Sequence, residues 1–163
     1  MTAERASTEL EEFLATALKR QIDADFALHD GDPEPRLAIW SENEPITLFG
    51  AGVPLETGRA GMEEVARWLA EHMSQSRRFE VELVAAEVSG DLAYTVGFEH
   101  SEYSWDGGPV QSRVLRVTQV YRREAGEWRI VHRHGDHLPV DGRLAAPSAP
   151  TLGESPAAQN RLR

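Results

Sequence analysis

A long β-hairpin is predicted by the stretch Leu115-Arg-Val-Thr-Gln-Val-Tyr-Arg-Arg-Glu-Ala-Gly-Glu-Trp-Arg-Ile-Val-His-Arg-His134. Both arms are rich in Val, Thr, Ile, Tyr and Trp, and the break at Glu124–Glu127 contains the glycine that a short hairpin loop needs. The arms therefore pair antiparallel. Because polar side chains are frequent in both arms, this hairpin is the first place to look for a functional site.

Side chains alternate between the two faces of a strand, so the second arm divides into two rows. One row contains Trp128, Ile130, His132, His134 and Asp136, and the other contains Arg129, Val131, Arg133 and Gly135. The turn type is undefined, which leaves the pairing register open by one residue. We favour Arg116 and Thr118 opposite His134 and His132. This register places a cation, a hydroxyl and two imidazoles on one face.

Length and composition favour one soluble domain. A chain of 163 residues suffices for a single hydrophobic core. We expect an N-terminal extension over residues 1–7, a domain over 8–138, and a disordered or loosely packed tail over 139–163, which is rich in Pro and Ala. No apolar run approaches the roughly 20 residues of a membrane span, and no signal peptide is evident. A cytoplasmic location without a membrane partner is expected.

Charge and missing residue types exclude several functions. A formal charge of −10 repels phosphate backbones, so nucleic acid is not expected as a partner. The chain has no cysteine, which excludes disulfides, thiolate metal sites and cysteine nucleophiles. The Gly50-Ala-Gly52 segment lacks the lysine of a phosphate-binding loop. Carboxylates, imidazoles, hydroxyls and guanidinium groups remain, and no cofactor is predicted.

Three helices are predicted before the main run of strands. Apolar residues at intervals of three and four predict the first helix from Ser7 or Thr8 to about His29, with Thr8 and Glu11 as a capping box. A short second helix is predicted over Pro35 to Trp40, and a third from Gly61 to about Ser74.

The other predicted elements are strands. A brief strand is predicted over Ile46–Phe49. Four consecutive strands follow, joined by turns that contain glycine: Arg78–Val88, Leu92–Trp105, Val110–Arg123 and Trp128–His137. Helices followed by an antiparallel meander predict an α+β domain in which the helices pack on one face of the sheet.

The order of elements and the last hairpin resemble the nuclear transport factor 2-like superfamily, the cone-shaped α+β fold of ketosteroid isomerases and SnoaL-like polyketide cyclases. The likeness covers roughly Ser7 to Leu138. The segments Leu115–Tyr121 and Gly126–His134 also resemble the kinase-association-domain branch of the superfamily. The resemblance implies a curved sheet, a pocket opening at one end of the cone, and a homodimer through the outer sheet surface.

The chain departs from the ketosteroid isomerase pattern at two places. Where those isomerases carry a catalytic aspartate, this chain has Phe49 and no acid. The position of their oxyanion-donating tyrosine falls close to Asp25. Steroid isomerisation by the familiar mechanism is therefore not expected. The resemblance places Trp40 and Phe49 in segments that rim the cone, as pocket walls.

Two charged residues have alternative interpretations. Asp25 projects near the apolar stripe of the first helix, and is either a surface acid at the helix end or a pocket acid with a raised pKa. Arg116 either extends out of the sheet or points into the cone, where it needs an acid or an anionic ligand as partner. The resemblance to the kinase-association branch favours the cone.

His132 and His134 are the predicted catalytic residues, with Asp25 as a second acid or base. An imidazole near its ordinary pKa suits proton transfer at neutral pH. The two histidines also share a face, as metal ligands do. A third ligand is not evident, however, and hydrogen-bonded core histidines are the commoner outcome, so no metal is predicted.

The strand over Leu92–Trp105 offers two rows of side chains. The row with Tyr94 and His100 is more apolar than the row with Thr95 and Glu99, so it is predicted to face the helices and the pocket. A bulge near Gly97 is the alternative that reverses this phase.

Two functions fit these residues. One is a cofactor-free isomerase, cyclase or dehydratase that binds a small hydrophobic molecule bearing a carbonyl or carboxylate, in which Arg116 holds an oxyanion. Its predicted substrate-binding residues are Arg116, Trp40, Phe49, Tyr94, His100 and Thr118. The other function is a non-catalytic ligand-binding or oligomeric assembly module. Stability alone also explains the polar groups, with Arg116 paired to Asp25 or Asp136.

Overall fold

The N-terminal helical segment consists of α1 (Ala3–Phe13), a π-helical turn (Leu14–Leu18) and α2 (Lys19–His29). These bounds come from a computed structural model that describes residues 3–139; the predicted tail from residue 140 onward lies outside the described residues. The helix begins at Ala3 rather than Thr8. The predicted capping box is wrong, because the Thr8 hydroxyl donates to the Glu4 carbonyl at 3.0 Å, inside the helix.

Two further helices complete the helical layer. They are α3 (Glu34–Ile39) and α4 (Gly58–His72), so the three predicted helices are confirmed with shifted ends. Pro33 lies immediately before α3, at a position where a backbone N–H has no carbonyl partner within the helix. Among residues 3–139, no helix is both long and apolar enough to span a membrane.

The strands form one curved sheet. Their bounds are β1 (Thr47–Gly50), β2 (Val53–Thr57), β3 (Met73–Ser89), β4 (Leu92–Trp105), β5 (Gln111–Glu124) and β6 (Glu127–His137). The order across the sheet is β2-β1-β6-β5-β4-β3, and only the β1–β6 pair is parallel among the described strands. The predicted α+β fold is confirmed. Strand β2 is an addition to the predicted elements.

Two β-bulges and a glycine curve this sheet around the helices. Val84 in β3 and Val131 in β6 are extra residues in the pairing of their strands. A Cβ on Gly97 would lie 2.4 Å from the Glu82 carbonyl oxygen of the neighbouring strand. Bulges bend a strand and increase its twist, and the absent side chain permits the close approach of the two backbones. The inner face is therefore concave.

Two apolar clusters fill the concave face. The larger includes Phe13, Trp40, Tyr121 and Ile130, and the smaller is formed by Leu28, Ala70, Met73 and Tyr103. Residues of both clusters border one cavity. The interior is thus filled where α1 meets the sheet and hollow near the end of α2.

Candidate functional site

A cavity of about 310 Å³ opens between the helices and the inner face of the sheet. Apolar side chains, mostly from α4, form one wall: Leu28, Leu48, Met62, Val65, Ala66 and Leu69. Aromatic rings form a second group, made up of Trp40, Trp68, Tyr103 and Trp105. The charged residues that border the cavity are Asp25, Arg36, Glu99, Arg113 and Arg133. A concave apolar site with few polar groups is the usual form of a small-molecule pocket.

The helix brings polar groups to the cavity one turn at a time. Phe13, Ala17, Gln21 and Asp25 follow one another at intervals of four, and all four side chains are buried. His29 is the next residue in this series and borders the cavity. Because residues four apart share a helix face, the stripe changes along its length from apolar core to polar site.

Two ion pairs lie side by side at the inner limit of the cavity. Glu99 accepts two hydrogen bonds from the Arg133 guanidinium, each at 2.6 Å. Asp25 pairs with Arg36. The Gln21 amide donates to Asp25 at 2.9 Å and to Glu99 at 3.0 Å, and so connects the two pairs. We call these five residues the buried ionic network.

The pairing keeps the network charged inside the protein. Burial alone would lower the pKa of Arg133, but the attraction and hydrogen bonds of Glu99 raise it above its ordinary value. Burial lowers the pKa of Arg36, against the opposing effect of Asp25. Two carboxylates and two guanidinium groups cancel in charge, so the network adds no net charge to the cavity.

His29 borders the cavity, and its ring makes no hydrogen bond within residues 3–139. Its ring packs against Tyr103 at 4.4 Å and Phe79 at 5.3 Å between centroids. Its Nδ1 atom is buried and unpaired among the described residues. Burial lowers the pKa of His29 to about 4, Glu99 acts to raise it, and Arg133, Arg36 and Arg113 act to lower it. The imidazole is therefore neutral at pH 7.

Arg113 is the charged cavity residue that lies outside the network. Its guanidinium stacks over the Tyr103 ring at 4.0 Å. It donates to the carbonyl oxygens of Tyr103 at 2.9 Å and Gln111 at 3.2 Å. Within residues 3–139 it forms no salt bridge with a carboxylate. Its positive charge is therefore available to a bound anion.

Of the predicted site residues, only Asp25 and Trp40 border the cavity. Asp25 is a pocket acid, as one interpretation held, and it is paired rather than isolated. Trp40 is a wall residue, and its indole nitrogen is buried without a hydrogen-bond partner in the described part of the chain. The other predicted residues lie on the outer face of the sheet: Phe49, Tyr94, His100, Arg116, Thr118, His132 and His134.

The predicted register of β5 and β6 is wrong by two residues, and Arg116, Thr118 and His134 border a depression on the outer face of the sheet instead of the cavity. Arg116 lies opposite Asp136, and its guanidinium holds both Asp136 oxygens, at 2.9 and 2.7 Å. Thr118 lies opposite His134. The Arg116–Asp136 ion pair is one of the two pairings that the stability interpretation named.

The outer-face histidines are held by neighbours. His132 Nδ1 lies 2.7 Å from the Thr47 hydroxyl, and burial lowers the pKa of His132 with a smaller contribution from His134. The Phe49 ring packs edge-on against both imidazoles. His100 contacts Glu82 at 2.8 Å. Among residues 3–139, no cluster of three or more His, Asp or Glu side chains could hold a metal ion.

In both β6 and β4, the side chains predicted to face the pocket face outward instead. The extra residue Val131 shifts the phase of β6, so Ile130 is buried in the core while His132 faces outward and Arg133 faces inward. In β4 the inward row is the more polar one, including Glu99 and Ser101. The prediction assumed that the more apolar row of β4 faces the helices. It was wrong because side chains that border a cavity do not have to be apolar.

Sequence reasoning missed His29, Arg36, Glu99, Arg113 and Arg133. One signal was present: His29 lies four residues after Asp25 and eight after Gln21 on the same helix face. The strand residues offered no comparable signal, because their orientation depends on the bulges.

Comparison with known proteins agrees with this architecture. A family model of the SnoaL-like domain matches residues 13–140, so the chain belongs to the SnoaL-like family. Among curated proteins, no significant match is found.

Solved structures show the same fold at low sequence identity. A candidate dehydratase of the nuclear transport factor 2-like family from Streptomyces avermitilis is 19% identical, with a TM-score of 0.68, over 82% of this chain and 98% of that one. A nuclear transport factor 2-like superfamily protein from Salmonella enterica is 18% identical, with a TM-score of 0.67, over 92% and 99%. A ketosteroid isomerase-like protein from Erwinia carotovora is 20% identical, with a TM-score of 0.62, over 78% and 98%.

We predict strong coupling between Glu99 and Arg133. Glu99→Leu or Arg133→Met alone should lower the free energy of unfolding by roughly 3–5 kcal/mol, because each leaves an unpaired buried charge. The double variant should be more stable than the less stable single variant. Chemical denaturation of all four proteins measures the coupling. The control is the exposed Arg116–Asp136 pair on the outer face. Arg116→Met and Asp136→Leu should each change the free energy of unfolding only slightly. Additive losses at Glu99 and Arg133 would contradict the buried pair.

We predict that His29 makes stability depend on pH. The unfolded state binds a proton near pH 6.5 and the folded state only near pH 4. The free energy of unfolding should therefore fall as the pH drops through this window, by about 3 kcal/mol from this group. His29→Gln should flatten the pH profile by that amount, whereas the exposed His134→Gln should keep the wild-type slope. Denaturation curves between about pH 4 and about pH 7 measure the difference, and parallel profiles for wild type and His29→Gln would refute it.

Proposed function

We propose that the protein binds a small, largely apolar organic anion in the cavity between its helices and its sheet. The observation that carries this proposal is Arg113, a cavity cation without a carboxylate partner in the described chain. Three arginines and two acids border the cavity, in a chain with a formal charge of −10. A positive site in an acidic protein favours anions.

The walls suit the rest of such a ligand. The volume of about 310 Å³ lies at the lower end of the usual range for ligand pockets. Apolar side chains of α4 and the aromatic side chains Tyr103 and Trp105 border the cavity. Burial of an apolar body between them supplies affinity, and the arginine supplies orientation.

Proton-transfer chemistry of the isomerase, cyclase or dehydratase type is the catalytic form of this proposal. His132 and His134 lie outside the cavity, so the groups with access to a bound molecule are Asp25 and His29. Both Asp25 oxygens are engaged, by Arg36 and by Gln21. His29 has no partner in the described chain, and is therefore the group able to exchange a proton with a ligand.

Binding of matched probes tests the proposal. Isothermal titration calorimetry should detect binding of 2-naphthoate to the wild type. The neutral analogue 2-naphthamide should bind at least about tenfold more weakly, because it lacks the charge that Arg113 attracts. Arg113→Gln should weaken 2-naphthoate by about tenfold or more, the size of a lost charge-assisted hydrogen bond. Arg116→Gln, on the outer face, is the control and should bind like the wild type. Equal binding by Arg113→Gln and wild type would refute the site.

We also propose a homodimer through the outer face of the sheet, because that face exposes large apolar side chains. They are Phe49 in β1, Tyr94 in β4 and Val84 at the β3 bulge, and Val84 is 63% exposed. Exposed apolar side chains on the open face of a sheet favour self-association. The Arg116–Asp136 pair on the same face is self-neutralised, so it does not oppose contact with a second copy.

Sedimentation velocity tests the dimer. Val84→Glu adds a charge to the proposed interface and should convert the dimer to monomer without unfolding it, because the side chain is exposed in the single chain. Phe26→Glu is the control on the exposed surface of α2. A wild type that sediments as a monomer, or a Val84→Glu variant that remains dimeric, would contradict the proposal.

A further inference from the structure

His29 stands at the point where the charged groups of five elements meet. It closes α2, and its ring lies against Tyr103 of β4. The groups that act on it electrostatically are Glu99, Arg133, Arg36 and Arg113. Asp25 precedes it by one helical turn, and His137 borders the same cavity from the end of β6. Three guanidinium groups therefore surround one imidazole.

The geometry makes a protonated His29 unfavourable in the empty cavity. Burial removes the water that would solvate the charge, and a fourth cation near three arginines is repelled. The carboxylates cannot offset this fully, because Glu99 is held by Arg133 and Asp25 by Arg36. His29 is accordingly left with neither a proton nor a hydrogen-bond partner in the described chain.

A bound anion reverses this balance. An anionic group beside Arg113 and Arg133 neutralises part of the positive field that opposes the imidazolium. It also offers an acceptor to the His29 ring, which borders the cavity and makes no hydrogen bond among residues 3–139. Both effects favour addition of a proton to the ring.

We propose that His29 is the proton acceptor of this cavity: when an anionic group binds beside the arginines, His29 takes up one proton, and the anion and the proton bind together. This inference rests on the proposed anion binding. The proton comes from solvent, or from the acid group of the ligand itself, and no covalent bond of the ligand needs to change. The ligand class that fits is an organic acid whose anion contacts the imidazolium.

Coupled uptake of one proton has a defined signature. The affinity for the anion should rise as the pH falls, by up to about tenfold per pH unit, between the pKa of His29 in the complex and its lower value in the empty cavity. A ligand that titrates itself would confuse this slope. A sulfonate avoids the problem because it stays anionic throughout the range.

The experiment uses 2-naphthalenesulfonate as the probe. Titration calorimetry at about pH 5.5, in buffers of different ionisation enthalpy, measures the protons taken up on binding. The wild type and His134→Gln should take up nearly one proton more than His29→Gln. In parallel, NMR titration of the imidazole Hε1 signals of the wild type should show the His29 pKa rising when the probe is bound. The NMR arm needs no folded His29 variant.

The outcomes separate this inference from the proposed function. If the probe binds in an Arg113-dependent way but the pKa of His29 does not change, the coupling is refuted and the anion site stands. If neither 2-naphthalenesulfonate nor 2-naphthoate binds to the wild type, both proposals fall. A rise in the pKa of His29 that is lost in Arg113→Gln supports both.

Discussion

Four charged side chains buried between helix and sheet determine how this domain is arranged. Removing one ion from water costs several kcal/mol, so each needs a partner held in good geometry. Asp25 of α2 pairs with Arg36 of α3, and Glu99 of β4 pairs with Arg133 of β6. Gln21 joins the two pairs. Displacement of α2 from α3, or of β4 from β6, would therefore leave a buried charge unpaired, and the Gln21 amide ties the helical pair to the sheet pair.

The same network decides where the core ends and the cavity begins. On one side, Phe13, Tyr121 and Ile130 pack to near-zero exposure. On the other side, the cavity opens, with His29 on the next helical turn and Arg113 farther along the inner sheet face. Because the network is neutral as a whole, Arg113 sets the charge of the cavity. The neutral network and the charge of Arg113 together are the basis of the anion site proposed here.

The fold was predictable from sequence because its signals are local and repeated. The apolar spacing of the first helix and the strand patterns around Gly126 each indicated the correct element, and their order indicated the family. Boundaries were less accurate, as at Thr8, where the hydroxyl bonds inside a helix that had already begun. The family match over residues 13–140 agrees with the resemblance seen in the last hairpin.

The site was not predictable in the same way, because it depends on strand phase. One extra residue at Val131 turns His132 outward and Arg133 inward, and the alternation of residue types does not show where such a bulge falls. The rule that apolar rows face the core also fails where the interior is a cavity, as at Glu99. The position of Asp25 beside the cavity, one of its two predicted alternatives, followed from the helix period, which has no such phase ambiguity.

A crystal structure of the protein with 2-naphthoate tests the central claim most directly. The account predicts the carboxylate within hydrogen-bond distance of the Arg113 guanidinium, with the naphthalene ring between α4 and β4. A ligand bound on the outer face beside Arg116 and His134, or a cavity closed by its own side chains, would contradict it.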